Sequence, residues 1–136
     1  MIRVISYLLV ILLCGCQSTY VEPDKNIIDK FSMKAGDFLL VVDVNSAKYT
    51  DYSNVSCDNS DCIIMRTWFL YEAKVVDVIG GNYKADTIKF ANMQHSYFVD
   101  EATHKWYVQL RKFKSKSVAK KLSRQYYVVQ YQFSNL

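Results

Sequence analysis

Two histidines, four cysteines and one dense run of cations are the parts of this 136-residue chain whose types and spacing could do chemistry. Nucleophilic or general acid-base catalysis needs a base held beside a nucleophile, or paired carboxylates. His95 lies in Met93-Gln94-His95-Ser96-Tyr97 and His104 in Glu101-Ala102-Thr103-His104-Lys105-Trp106, with no Gly-x-Ser-x-Gly elbow and no His-Glu-x-x-His pattern. Both read as loop or strand-end residues. Glu72, Asp77, Asp86, Asp100 and Glu101 supply carboxylates whose separation the sequence leaves open. No catalytic residue is assigned, and a small hydrolase ranks third among the functional readings. With no Gly-rich phosphate loop, no cofactor is expected.

Cys57 and Cys62 close the short ring Cys57-Asp58-Asn59-Ser60-Asp61-Cys62. In an oxidising compartment a disulfide is the expectation, worth about 2 kcal/mol by loop entropy, enough to pin a loop. The rival is a metal site built with Asp58 and Asp61. Histidine is missing nearby, and the run does not follow the alternating order of a calcium loop. No metal is assigned.

The most lopsided feature is cationic. Arg111, Lys112, Lys114, Lys116, Lys120, Lys121 and Arg124 place seven cations in fourteen residues with no acid among them, although the whole chain is only +4. Trp106 and Tyr107 precede them, and Phe113, Tyr126 and Tyr127 are close in sequence, a mixture that suits a recognition face. The candidate binding set is therefore Arg111, Lys112, Lys114, Tyr107, Trp106, Lys120 and Arg124. Its competitor is a solvated helix and strand edge that deters aggregation.

The elements that must position these groups are mostly strands. Composition, 51% hydrophobic with 11 Tyr, 7 Phe, 4 Gly and 1 Pro, excludes disordered and collagenous classes and favours pleated, half-buried surfaces. Asp24 to Met33 predicts a short amphipathic helix capped by Asp24, because Ile27, Ile28 and Phe31 fall at i, i+1 and i+4. Phe38 to Val44 is an apolar run of strand length, of the kind buried on both faces. Asn45 to Asp61 reads as a long polar loop. Trp68 to Ile79 is a strand long enough to bend, Gly80-Gly81-Asn82 a reversal, and Thr87 to Phe90 the returning strand. From His104 to Phe113, Trp106, Val108 and Leu110 alternate against Lys105, Tyr107, Gln109 and Arg111, predicting a half-buried antiparallel strand. Ser117 to Gln125 predicts a short helix, and Tyr126 to Phe133 a last strand with Tyr127, Val129, Tyr131 and Phe133 on one face. The expected fold is mainly β, a small antiparallel OB-like barrel or barrel-like sandwich with one or two short helices.

At the N-terminus Met1-Ile2-Arg3 precedes ten residues, Val4 to Leu13, interrupted only by Ser6. This is the length of a signal-peptide core and falls well short of the roughly 20 apolar residues a membrane-spanning helix needs. The following Leu13-Cys14-Gly15-Cys16 resembles the bacterial lipoprotein signal. That resemblance implies cleavage after residue 15, diacylglycerol on the Cys16 thiol and an acylated amine, an anchor of three chains. It also implies, through Gln17 where Asp would retain the protein in the inner membrane, a periplasm-facing position on the outer membrane. Residues 1–15 are thus expected to be a signal peptide, 16–34 a lipidated tether with a short helix, and 35–136 one β domain.

Tyr71-Glu72-Ala73-Lys74-Val75-Val76-Asp77-Val78-Ile79-Gly80-Gly81 with Ile88-Lys89-Phe90 is similar to the hairpin of netrin-like and metalloprotease-inhibitor OB barrels. Inhibition there relies on a free N-terminal cysteine amine, which acylation of Cys16 would remove. The functional expectation is a lipid-anchored, non-catalytic binding module. Its partners are the membrane, through the anchor, and a protein or anionic envelope component; inhibition or immunity toward an exported hydrolase is one form, and export argues against nucleic acid. The alternative is a structural or assembly accessory of an envelope complex.

Overall fold

A computed structural model describes residues 20, 23–53, 65–95 and 105–134. Five strands, β1 (Phe38–Tyr49), β2 (Thr67–Gly80), β3 (Thr87–Gln94), β4 (Trp106–Lys112) and β5 (Tyr126–Phe133), close into a barrel in the order β1-β2-β3-β5-β4. Two short helices flank it, α1 (Lys25–Ile28) and α2 (Lys116–Leu122). The mainly β, OB-like barrel expected from the sequence is therefore present, with one difference. Four strand pairs are antiparallel, but β3 and β5 run parallel, so the barrel is mixed. The reason is topological: β4 lies between β1 and β5, and a strand antiparallel to β4 must run alongside β3 to complete the ring.

Closure depends on β1, which pairs with both β2 and β4. Register shifts between Leu39 and Leu40, Val41 and Val42, and Val44 and Ser46 mark irregularities in its ladder with β2, the kind that bend and coil a strand. Within the apolar run at its start, Leu39 to Val42 are buried because both faces are covered, and Phe38 and Val44 are half-buried. Leu40 and Val42 belong to the main core with Phe69, Tyr71, Phe90, Trp106, Val108 and Leu110, whereas Val41 packs outward against Ile27 and Tyr107. The strand also continues to Tyr49, so Asn45 to Tyr49 is strand rather than the start of a loop. Its polar end follows the long β2, where Ala47 pairs with Tyr71 and Tyr49 with Phe69.

The outer faces depart further from simple alternation. On β4, Trp106, Val108 and Leu110 join the main core as expected, but Tyr107 and Gln109 on the opposite face are 1% exposed. The polypeptide before β1 covers them. Asp24 caps α1 by accepting from the Asn26 amide, its own amide donates to the Tyr107 hydroxyl at 2.8 Å, and the Ser32 carbonyl accepts from Gln109 Nε2 at 2.9 Å. Tyr20 donates to Asp77 Oδ2 at 3.0 Å, and burial together with that bond raises its phenol pKa. α1 is four residues long; beyond it the Lys30 and Phe31 amides donate in tighter turns to the Ile27 and Ile28 carbonyls, and the Lys30 carbonyl accepts from Gln130 Nε2 at 3.1 Å.

α2 starts earlier than the sequence suggests, since Ser115 and not Ser117 is the cap, accepting from the Val118 amide at 3.4 Å. Leu122 and Val118 pack it onto Trp68 and Ala91. The alternation expected along β5 fails midway. Gln109 pairs with Gln130 and Leu110 with Val128, leaving Val129 as an extra residue. The inward set is consequently Tyr126, Val128, Tyr131 and Phe133.

The β2–β3 reversal uses Gly81 at φ +83°, where a Cβ would lie 2.6 Å from the Asp37 carbonyl oxygen. Gly36 has a similar φ of +86° but open space around it. Gly36→Ala should cost the left-handed backbone term alone, about 1–2 kcal/mol. Gly81→Ala should cost more, because the backbone must also move. Urea denaturation of the two variants checks this, and equal losses would show that the approach to Asp37 is not tight.

Candidate binding surface

The seven candidate binding residues separate into two groups. Trp106 is inside the barrel, 3% exposed, with ring centroids 5.4 Å from Tyr131, 5.0 Å from Phe133 and 5.3 Å from Tyr71. Tyr107 is under α1. Arg111 is tied to Asp37: its Nε donates to Oδ1 at 2.7 Å and its Nη2 to Oδ2 at 2.8 Å. Asp37, whose side chain is fully buried, also accepts from Gln109 Nε2 at 2.7 Å and from the Lys34 amide at 3.0 Å. Hydrogen bonding by Arg111, opposed by burial and joined by the Lys34 amide, holds the Asp37 carboxyl well below the usual carboxylate range, and the same pair raises Arg111. Arg124 is 11% exposed and faces Glu72 at 3.5 Å, while Lys89 reaches the same carboxylate at 2.8 Å and lowers its pKa. These four side chains belong to the fold, and their exposure leaves little for a partner to touch.

The remaining cations form a ridge. Lys112, Lys114, Lys116, Lys120 and Lys121 are all exposed, and among the described residues none makes an ion pair. The helix pattern produces this. Val118 and Leu122, one turn apart, anchor α2 to the barrel, so Lys116 and Lys120 project from its other side while Lys121, three residues after Val118, flanks the packed face. Lys120 and Lys121 also sit in the last turn, where the helix dipole favours positive charge. Lys121 Nζ is 3.9 Å from the centroid of the Tyr52 ring.

Beside the ridge lies a groove of about 480 Å³, whose walls include Arg66, Trp68, Asn92, Met93 and the middle of β5. Trp68 joins the two features, packing edge-on to Phe113 at 5.3 Å and to Tyr127 at 6.4 Å, while its amide donates to the Tyr52 carbonyl. Sequence reasoning placed Trp68 only in a strand. The available signal was parity: with Phe69, Tyr71 and Ala73 inward, Trp68 must stand on the outside, where a large aromatic needs a covering partner. Arg66, Tyr52 and Asn92 carried no comparable signal, since their neighbours come from distant parts of the chain.

Inside the barrel, the Tyr71 hydroxyl and Asn92 Nδ2 both donate to Gln94 Oε1 at 2.9 Å, and burial pushes the Tyr71 phenol up to about 12. This phenol stays protonated through the physiological range and acts as a donor. Among the described residues no three His, Cys, Asp or Glu side chains are gathered as a metal site would require, and no helix is long and apolar enough to cross a membrane. Cys16, Cys57, Cys62 and His104 lie outside the described residues; His95 is exposed at the end of β3. Comparison with known proteins adds no relative: no family model, no curated protein and no solved structure matches the chain.

Proposed function

We propose that the protein is a non-catalytic binding module of the bacterial cell envelope, lipidated at Cys16, whose lysine ridge captures an anionic macromolecular partner. The observation that carries this reading is the contrast among the seven cations. Arg111 and Arg124 face carboxylates, whereas the five lysines from Lys112 to Lys121, at the end of β4, in the connection after it and on α2, stand exposed and pair with no acid among the described residues. A rigid array of unneutralised charge steers and orients an oppositely charged partner at little cost in ordering. An exported hydrolase held in check, or an anionic envelope polymer, has the required chemistry. The lipobox-like Leu13-Cys14-Gly15-Cys16 supports the anchor.

The test is a crosslinked pull-down from the native envelope with Lys112→Glu, Lys114→Glu, Lys116→Glu and Lys120→Glu combined. All four side chains are exposed, so thermal stability should be unchanged. Capture should fall by on the order of a hundredfold or more, because each cation near an anionic surface contributes separately. Undiminished capture would return the ridge to the role of a solvated face. Arg111 is unsuitable for this experiment, since reversing it would leave Asp37 buried beside a like charge.

A further inference from the structure

The segment expected to be a tether is built into the fold from Tyr20 onward. The Tyr20 hydroxyl donates to Asp77 Oδ2 on β2 at 3.0 Å, and its ring packs against the cluster of Ile27, Val41 and Tyr107, all three buried. The Asp24 amide donates to the Tyr107 hydroxyl at 2.8 Å, and the Lys30 carbonyl accepts from Gln130 Nε2 at 3.1 Å. One wall of the barrel, centred on β1, is therefore the place where the chain from Cys16 arrives. Cys16 lies four residues before Tyr20, so the chain between them reaches at most about 14 Å at about 3.5 Å per residue. A domain of about a hundred residues has a radius of gyration of about 13 Å and is thus about 34 Å across. The leash is less than half the width of what it holds.

α2 occupies the far wall. In the ring order β1-β2-β3-β5-β4, α1 packs on Val41 of β1 and Tyr107 of β4, whereas α2 packs on Ala91 of β3 and Trp68 of β2. β2 touches both helices and gives their separation. Asp77, which holds Tyr20, and Trp68, which holds α2, are nine residues apart, about 30 Å along a strand at about 3.3 Å per residue. We infer that the α1 wall lies against the bilayer carrying the acylated Cys16, and that Lys116, Lys120 and Lys121 on α2 face away from it. With a leash of about 14 Å on a body about 34 Å wide, the far wall stays about 20 Å or more above the bilayer surface. That exceeds the Debye length of about 8 Å over which headgroup charge attracts cations. This rests on the lipid-anchored reading above and deepens it: the partner of the α2 lysines comes from the aqueous side, because the headgroups of the anchoring leaflet are out of reach.

The test measures amide paramagnetic relaxation by NMR in the mature lipidated protein, reconstituted in nanodiscs that carry a trace of a lipid with a gadolinium-chelating headgroup. Its comparison is a variant with about twelve flexible Gly and Ser residues inserted between Gln17 and Ser18, ahead of every docked residue, which adds about 20 Å of root-mean-square reach. In the native chain the enhancement at Lys25–Ile28 should exceed that at Lys116–Leu122 by on the order of tenfold, as expected for walls about 34 Å apart. In the insertion variant the two helices should come within about twofold of each other, because the longer leash lets the barrel turn over. Equal enhancement of the two helices in the native chain overturns the inference, and so does a larger enhancement at α2, which would put its lysines on the headgroups. A gradient that survives the insertion also overturns it, since the short leash would then not be what orients the barrel. Mass spectrometry of the same sample separates this result from the reading beneath it. A Cys16 without acyl chains removes the anchor and the orientation together, whereas acylated protein with no gradient removes the orientation alone and leaves capture by the ridge standing.

Discussion

Asp37→Ala should lower the unfolding free energy by about 3–5 kcal/mol, a large share of the roughly 5–15 kcal/mol that holds a domain of this size together. Asp37 meets β4 from the turn before β1, and its buried carboxylate accepts from Arg111 twice, from Gln109 and from the Lys34 amide. Removing it leaves the Arg111 guanidinium without its counter-charge and one contact fewer for the buried Gln109. With an m-value of about 1–3 kcal/mol per M, the urea midpoint should fall by about 1–5 M. The pH dependence gives an independent check. In the unfolded chain the carboxyl titrates near 3.9, whereas Arg111 and the Lys34 amide hold the folded group well below that. A depressed folded pKa means that the stabilisation is fully present above the unfolded value and is lost as pH falls toward the folded one. The gap between wild type and Asp37→Ala should therefore be constant at neutral pH and shrink from about pH 5 downward. A gap that stays flat to pH 3 would show that the carboxylate charge is not what stabilises the turn.

Trp106→Ala should be comparably damaging, at about 3–5 kcal/mol, through a different cause. The indole fills the barrel between Tyr71, Tyr131 and Phe133, so its loss leaves a cavity that four strands cannot close. Its Nε1 is buried and has no hydrogen-bond partner among the described residues. Trp106→Phe should consequently lose less than half as much as Trp106→Ala, because a smaller ring costs packing but removes an unpaired donor. Urea denaturation read by near-ultraviolet circular dichroism measures both. Equal losses in the two variants would mean that the indole N–H contributes favourably, and a small loss in Trp106→Ala would remove Trp106 from the core.

How much of this was legible in the sequence follows the range of the interactions. β2, β4 and the two helices could be read because their patterns are local: a period of two around Trp106, Val108 and Leu110, a capping Asp24 before Ile27, and glycines at the β2–β3 reversal. The apolar run at Phe38 to Val44 announced a strand, and its stretch from Leu39 to Val42 is the part covered on both faces. The β5 alternation misled because a single bulged residue at Val129 inverts every later side chain, and the sequence carries no Gly or Pro to mark it. The candidate site was half legible. A run of seven cations is visible to anyone counting charges, but counting cannot tell Arg111 and Arg124, which meet Asp37 and Glu72 over 74 and 52 residues of chain, from the five lysines that make no ion pair among the described residues.

The sequence by itself determined a small, aromatic-rich β domain with a basic segment near its end, because strand and helix periodicity and net charge are properties of neighbouring residues. Only the tertiary structure decided that the barrel closes through a parallel β3–β5 pair, that Trp106 is packed inside and Tyr107 beneath α1 while Trp68 lines a groove, and which cations pair with an acid among the described residues. Each of those depends on residues that are far apart along the chain and adjacent only once the barrel has closed.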